Sequence, residues 1–433
     1  AVSPHSNERV GVFMAPSIGS DQYLGTLAHE FQHVIQWLAD PTEDTWMNEG
    51  LAEFAPRSMG LPSLPFDSYL GNPGVSLRDW PEEVGASLPN YAGGSLFIEY
   101  LAHRTGVENA HHLVSQPLDG IAGIDAYLDE IEAGMKFREL FADWLVANLV
   151  GASAGEYAYP EPPGAVNGGR TIRNPVSETG QVPQTGGWYA RLDPGDSPLT
   201  VEFDGRSATA LLPVVPYSGE HCWWSNRGDS INSTLTRSFD LTGVSEATLN
   251  FWAWHHIEDG WDHGYVSVST DNGSTWTALE GQHTATNDPM RVTYGPSYTG
   301  RTDRWVPEEI DLSPYAGNEI LLRFEYVTDE AVNTIGWCVD DIEIPEIGFV
   351  DDAESRNHDW DADGFERITS RGVEQRFIVQ LVEGTGNDAQ VTRVELDRRN
   401  RAVFTVSTPQ TLVITALAPK TSQPGVFSYD VTR

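Results

Sequence analysis

The chain reads as a multidomain α+β protein: a mostly helical first part, then β-sandwich or jelly-roll domains. Two observations predict this. Up to about residue 150, apolar residues recur at helical spacing, as in Leu27, Phe31, Val34, Ile35 and Leu38. From Trp188 onward, short alternating runs separated by turn residues take over, among them Leu199–Phe203, Thr248–Trp254, Gly264–Ser269, Ile320–Tyr326 and Thr411–Leu417. The expected division is a helical domain over 1–155, a linker rich in Pro, Gly, Asn and Thr over 156–187, a β segment over 188–216, a jelly roll over 217–345 and a C-terminal sandwich over 346–433. The 188–216 segment is a candidate partner for that sandwich.

Each element has its own signal. A strand-like run covers Arg9–Met14. A helix opens near Ser20-Asp21, where Ser is a good N-cap, and Asp40-Pro41 stops it. A second helix is expected over Trp46–Phe54 and a third over Tyr91–Arg104, closed by Gly106. Further helices are expected at Glu108–Ser115, Ile121–Glu130 and Lys136–Val150. The apolar face of the first helix is expected to pack inward.

Composition narrows the function. The 433 residues carry 63 acids against 26 bases, a formal charge of −37. Nucleic acids and anionic membranes are bound through cations, so the charge argues against both as partners. No apolar run approaches the roughly 18–20 residues of a membrane span. The acidity suits a solvated coat on a secreted protein, bacterial or archaeal, from a saline setting, or one that takes up calcium. The chain starts at Ala without a visible signal peptide, so upstream sequence is expected.

The chemistry concentrates in Thr26-Leu27-Ala28-His29-Glu30-Phe31-Gln32-His33-Val34. His29 and His33 stand four apart, so both imidazoles leave one helix face a turn apart and can reach one zinc. Glu30 sits between them, placed to take a proton from an activated water. A surface helix that merely carries two histidines is the plainer alternative, but a second motif follows. Trp46-Met47-Asn48-Glu49-Gly50-Leu51-Ala52-Glu53-Phe54 lies on the next helix, with fifteen residues between His33 and Glu49.

Together these motifs resemble the gluzincin metallopeptidases, particularly the hyicolysin group and aminopeptidase N-type enzymes. The resemblance implies a zincin catalytic domain, with Glu49 as third zinc ligand and Glu53 supporting a ligand histidine. The spacer is shorter than in thermolysin-type enzymes, and counting alone admits Glu53 as ligand instead. The residues after His33 exclude a metzincin. Pro89-Asn90-Tyr91-Ala92-Gly93 is similar to a Tyr-x-x-Gly element of aminopeptidase N-type enzymes, which implies Tyr91 as oxyanion donor. His103, His111 and His112 are alternative donors.

In the β-rich part, Cys222-Trp223-Trp224-Ser225-Asn226, Phe251-Trp252-Ala253-Trp254, Arg323-Phe324-Glu325-Tyr326 and Trp337-Cys338-Val339-Asp340-Asp341 resemble the MAM-like jelly roll of immune inhibitor A-type secreted metalloproteases. In such sandwiches the first and last strands are neighbours, so Cys222 and Cys338 are candidates for a disulfide. Asp359, Asp361 and Asp363 have calcium-loop spacing without the closing Glu, and Asp340-Asp341 is a second calcium candidate. Ser269–Trp276 matches an Asp-box hairpin, which a single copy makes a structural device rather than a glycosidase signature.

The expected function is that of a secreted zinc endopeptidase acting on protein or peptide, with β modules that dock substrate, a glycan or a cell-surface ligand. The alternatives are a non-catalytic adhesin with a vestigial head, and an aminopeptidase.

Overall fold

A computed structural model describes residues 17–433 except 84, 160 and 357. The strand-like run expected at Arg9–Met14 lies outside the described residues. The described chain forms two compact units: residues 210–372, and the residues on either side of them.

The flanking unit begins with helices. Among the described residues these are α1 (Asp21–Ala39), α2 (Thr45–Ser58), α3 (Asp67–Leu70), α4 (Leu88–Thr105), α5 (Ala110–Val114), α6 (Gly120–Glu130) and α7 (Phe137–Val150). Ser20 caps α1 by accepting the Tyr23 N–H at 3.1 Å. Gly106 and Gly151, both at positive φ, end α4 and α7. Trp46, Phe97, Phe137, Phe141 and Trp144 interlock edge-on or tilted in the helical core, with Phe137 stacked on Phe141.

The same unit holds a sandwich. One sheet runs Arg170–Ile172, Trp188–Leu192, Gln410–Leu417, Arg376–Glu383, Gln390–Val394, and the other Val176–Val182, Gly425–Thr432, Leu199–Gly205, Arg401–Val406. Leu192, Val201, Phe203, Val379, Ile414 and Phe427 fill the space between them. Helix α7 lies against the first sheet, where Gln380 donates to the Ala142 carbonyl at 2.9 Å and Tyr189 to that of Leu145 at 3.1 Å. The 156–187 stretch is therefore not a plain linker, because two of its segments are sandwich strands. Their alternation is masked in sequence by Gly, Pro and Thr.

The 210–372 unit is a second two-sheet sandwich with antiparallel pairings. One sheet runs Thr277–Ala278, His263–Ser269, Glu319–Val327, Asn232–Asp240, Asp361–Asp363. The other runs Val306–Asp311, Thr248–His256, Gly336–Ile344, His221–Trp224, Glu366–Thr369. Trp223, Phe251, Phe324, Trp337 and Trp360 lie in its core. Residues 346–372, assigned from sequence to the C-terminal sandwich, instead add edge strands here.

One expectation about α1 fails. Phe31, Trp37 and Leu38 are 58%, 59% and 72% exposed, so the described residues leave its apolar face open rather than packing it inward. Only Gly25 and Gln36 of that helix are buried.

Candidate metal centre

Helices α1 and α2 bring three side chains to one point. His29 and His33 project from one face of α1, and their Nε2 atoms lie 3.1 Å apart. Glu49, at the start of the second turn of α2, places Oε2 at 3.5 Å from both. Ligand atoms of these three residues all fall within 4.8 Å of one another. An ion with four ligands at 2.0–2.1 Å sets them about 3.3 Å apart, so the triangle has the right size for zinc.

The hydrogen bonds behind the triangle show why these atoms converge. His33 Nδ1 is 3.0 Å from Asn48 Oδ1, and His29 Nδ1 is 3.4 Å from Glu53 Oε1. Both partners are acceptors, so a neutral ring at either position carries its proton on Nδ1 and turns an Nε2 lone pair inward. Two lone pairs 3.1 Å apart, facing a carboxylate oxygen, repel one another. Glu49 Oε2 is moreover buried with no hydrogen-bond partner. A cation between the three resolves both the repulsion and the orphaned oxygen, so the residues present fit a divalent metal.

Electrostatics follow the same geometry. Burial would lower the pKa of His33, but the Glu49 carboxylate, Asn48 and the charge of Glu30 raise it. Burial would raise the carboxyl of Glu53; hydrogen bonds from His29 and the Leu64 N–H, with the charge of Arg57 nearby, hold it below the usual range. Tyr91, on α4, directs its hydroxyl to Glu49 Oε1 at 3.4 Å. Burial, then the charges of Glu49, Glu53 and Glu30, push its hydroxyl pKa up, so it is a donor at any ordinary pH. Trp80 packs edge-on against the Tyr91 ring at 4.6 Å and donates its own N–H to the Leu77 carbonyl at 2.8 Å.

The structure thus gathers His29, His33, Glu49, Glu53 and Tyr91 around one centre, with the charge of Glu30 close enough to act on His33 and Tyr91. Glu49 meets both Nε2 atoms, while Glu53 lies behind His29. The sequence reading missed Asn48 and Trp80. Asn48 directly precedes Glu49, and a polar amide beside a ligand is a usable signal. Trp80 carried none, because its contact with Tyr91 is made by tertiary packing.

The other histidine candidates go elsewhere. His111 Nδ1 is 2.8 Å from the Glu108 carbonyl and His112 Nδ1 is 2.8 Å from Glu130. His103 borders a separate cavity with Arg57 and Glu99.

The calcium candidates do not assemble. Asp361 and Asp363 lie on an exposed edge strand, opposite Thr236 and Thr234, and Asp359 pairs with Arg237 at 3.0 Å. An extended strand spreads its side chains along its length, where a calcium loop must curl them inward. Asp340 and Asp341 sit at a bulge and instead fasten Ser218, through its N–H at 3.2 Å and its hydroxyl at 2.7 Å. Among the described residues the one other metal-compatible grouping is Glu258, Asp262 and Asp329.

The expected disulfide is absent: Cys222 and Cys338 are buried free thiols. Register puts Cys338 opposite Trp224, so the two cysteines are diagonal neighbours. The two thiols nonetheless meet: the Cys338 side chain has that of Cys222 as its hydrogen-bond partner, so the sulfurs face each other unbonded.

Comparison with known proteins places the β-rich part. Residues 198–370 match the family described as Immune inhibitor A-like, MAM domain. The chain is 34% identical over 144 residues to the pre-pro-metalloprotease PrtV of Vibrio cholerae, which covers 33% of this chain and 15% of that protein. It is 28% identical over 183 residues to immune inhibitor A of Bacillus thuringiensis subsp. alesti, covering 41% of this chain and 25% of the relative. Bacillopeptidase F of Bacillus subtilis is 34% identical over 94 residues, 22% of this chain and 5% of the relative. The chain therefore spans a quarter or less of each of these relatives. Among the described residues no helix is long and apolar enough to cross a membrane.

Proposed function

We propose that the chain carries the active centre of a secreted zinc-dependent endopeptidase of gluzincin type, with the MAM-like sandwich docking protein substrate. The observation that carries this reading is the convergence of His29 Nε2, His33 Nε2 and the orphaned Glu49 Oε2. The name of the PrtV relative, a metalloprotease, supports the same class.

His29, His33 and Glu49 would hold the ion, Glu53 and Asn48 fixing the two rings. When bound, zinc supplies Lewis acidity and an acidified water. Glu30 accepts a proton from the attacking water and hands it to the departing amine. Its charge acts on both His33 and Tyr91, as a base near the reacting atoms must. Tyr91 donates its hydroxyl hydrogen bond to the oxygen that gains charge.

The test is Glu30→Gln, assayed on an unfolded protein substrate with metal content measured in parallel. Zinc should remain at one per chain while hydrolysis falls to background. Hydrolysis that persists in this variant removes Glu30 from the mechanism, and a wild-type chain that binds zinc without turnover favours a binding protein with a vestigial head.

A further inference from the structure

We infer that Arg57 is a positioning residue for the metal centre, acting on His29 through the 60–66 loop and Glu53. The inference rests on the zinc reading and adds to it a residue that touches none of the ligands.

The path is continuous. Glu53 Oε1 faces His29 Nδ1 at 3.4 Å, and its Oε2 accepts the Leu64 N–H at 3.1 Å. The carbonyl of the same Leu64 accepts from Arg57 Nη2 at 2.6 Å. Glu53 and Arg57 are i and i+4 on α2, so two side chains one turn apart grip both backbone groups of one loop residue. Arg57 is held in turn by an ion pair with Glu99 of α4, Nε to Oε2 at 3.4 Å without a hydrogen bond between them, and by the Phe66 ring, 3.9 Å beneath its guanidinium.

The loop also touches α1. A Cβ on Gly25 would stand 2.3 Å from the Pro62 carbonyl oxygen, so helix and loop backbone are in direct contact there. Gly25, His29 and His33 lie on one stripe of α1. The loop is thus wedged between α1 one turn before the first ligand and α2 one turn after the third. Its placement fixes the carboxylate behind His29 and the spacing of the two helices that supply the ligands.

An arginine suits this task because its planar fork reaches the Leu64 carbonyl and Glu99 together, whereas lysine offers a single point of attachment. Arg57 also borders a cavity of about 520 Å³, so shortening it opens into an existing hollow rather than tearing a packed core.

The experiment measures zinc affinity by chelator competition, well below the melting temperature, with apo-protein melting as control. Loss of an outer support typically weakens metal binding by about 10–100-fold. Arg57→Ala should weaken zinc binding by about tenfold, Arg57→Lys should recover part of that loss, and Glu99→Gln should cost about threefold. A folded Arg57→Ala protein that binds zinc within twofold of wild type overturns the inference. If Arg57→Ala does not fold, unchanged zinc affinity in Glu99→Gln overturns it instead. A wild-type chain that takes up no stoichiometric zinc sinks the metal reading itself, and this inference with it.

Discussion

Gly50 of α2 and Gly94 of α4 meet backbone to backbone. A Cβ built on Gly50 would lie 3.0 Å from both the carbonyl carbon and oxygen of Gly94, and one on Gly94 would lie 3.0 Å from the Trp46 carbonyl oxygen. This close crossing brings Glu49, one residue before Gly50, within reach of Tyr91, one turn before Gly94. Gly50→Ala should therefore push the helices apart. Overpacking of this kind costs about 1–3 kcal/mol, read as a lower denaturant midpoint with a weaker Tyr91 contribution to turnover.

The carboxylates of α2 are separable by metal titration. Glu49→Gln should abolish stoichiometric zinc, because a neutral amide replaces the oxygen that faces both Nε2 atoms. Glu53→Gln should keep zinc but weaken it by about 10–100-fold. Equal losses in the two variants would contradict the division of roles.

Tyr91→Phe keeps the ring against Trp80 and removes only the hydroxyl. Loss of one such donor lowers kcat by about 100–1,000-fold, with KM little changed and zinc retained. A variant with wild-type kcat would show that another group meets the oxyanion.

Stability of the 210–372 unit should depend on Asp262. This carboxyl is fully buried, and burial, with the charges of Asp329, Glu258 and Asp229, pushes its pKa up to about 9, from 3.8. Between those values the folded state holds a proton that the unfolded chain has released. The stability present in full below about pH 3.8 is therefore lost progressively as pH rises toward 9. Asp329, raised to about 6, works in the same direction. Melting followed across pH 5–9 should show a decline that Asp262→Asn flattens; an unchanged slope would place the pH dependence elsewhere.

Sequence patterning made much of this legible. The i, i+4 pair on α1 and the Asn-Glu-Gly-x-Ala-Glu run on α2 state local periodicities, and helical geometry turns them directly into shared faces. The change of texture near residue 150 likewise separates helices from strands. What stayed hidden depends on distant partners. The strands at Arg170–Ile172 and Val176–Val182 gain their pairing from Trp188–Leu192 and Gly425–Thr432, and nothing local marks them. The calcium spacing at Asp359–Asp363 was real in sequence, yet strand pairing with 234–236 straightened it.

By itself, then, the sequence determined which side chains leave the same face of α1 and of α2, because that follows from 3.6 residues per turn. Only the tertiary structure decided that Glu49 rather than Glu53 meets both histidines and that Asn48 stands behind His33. It likewise decided that the two cysteines lie diagonally. Each of these depends on how one element sits against another, which the packing of side chains across the whole unit fixes and no single stretch of chain encodes.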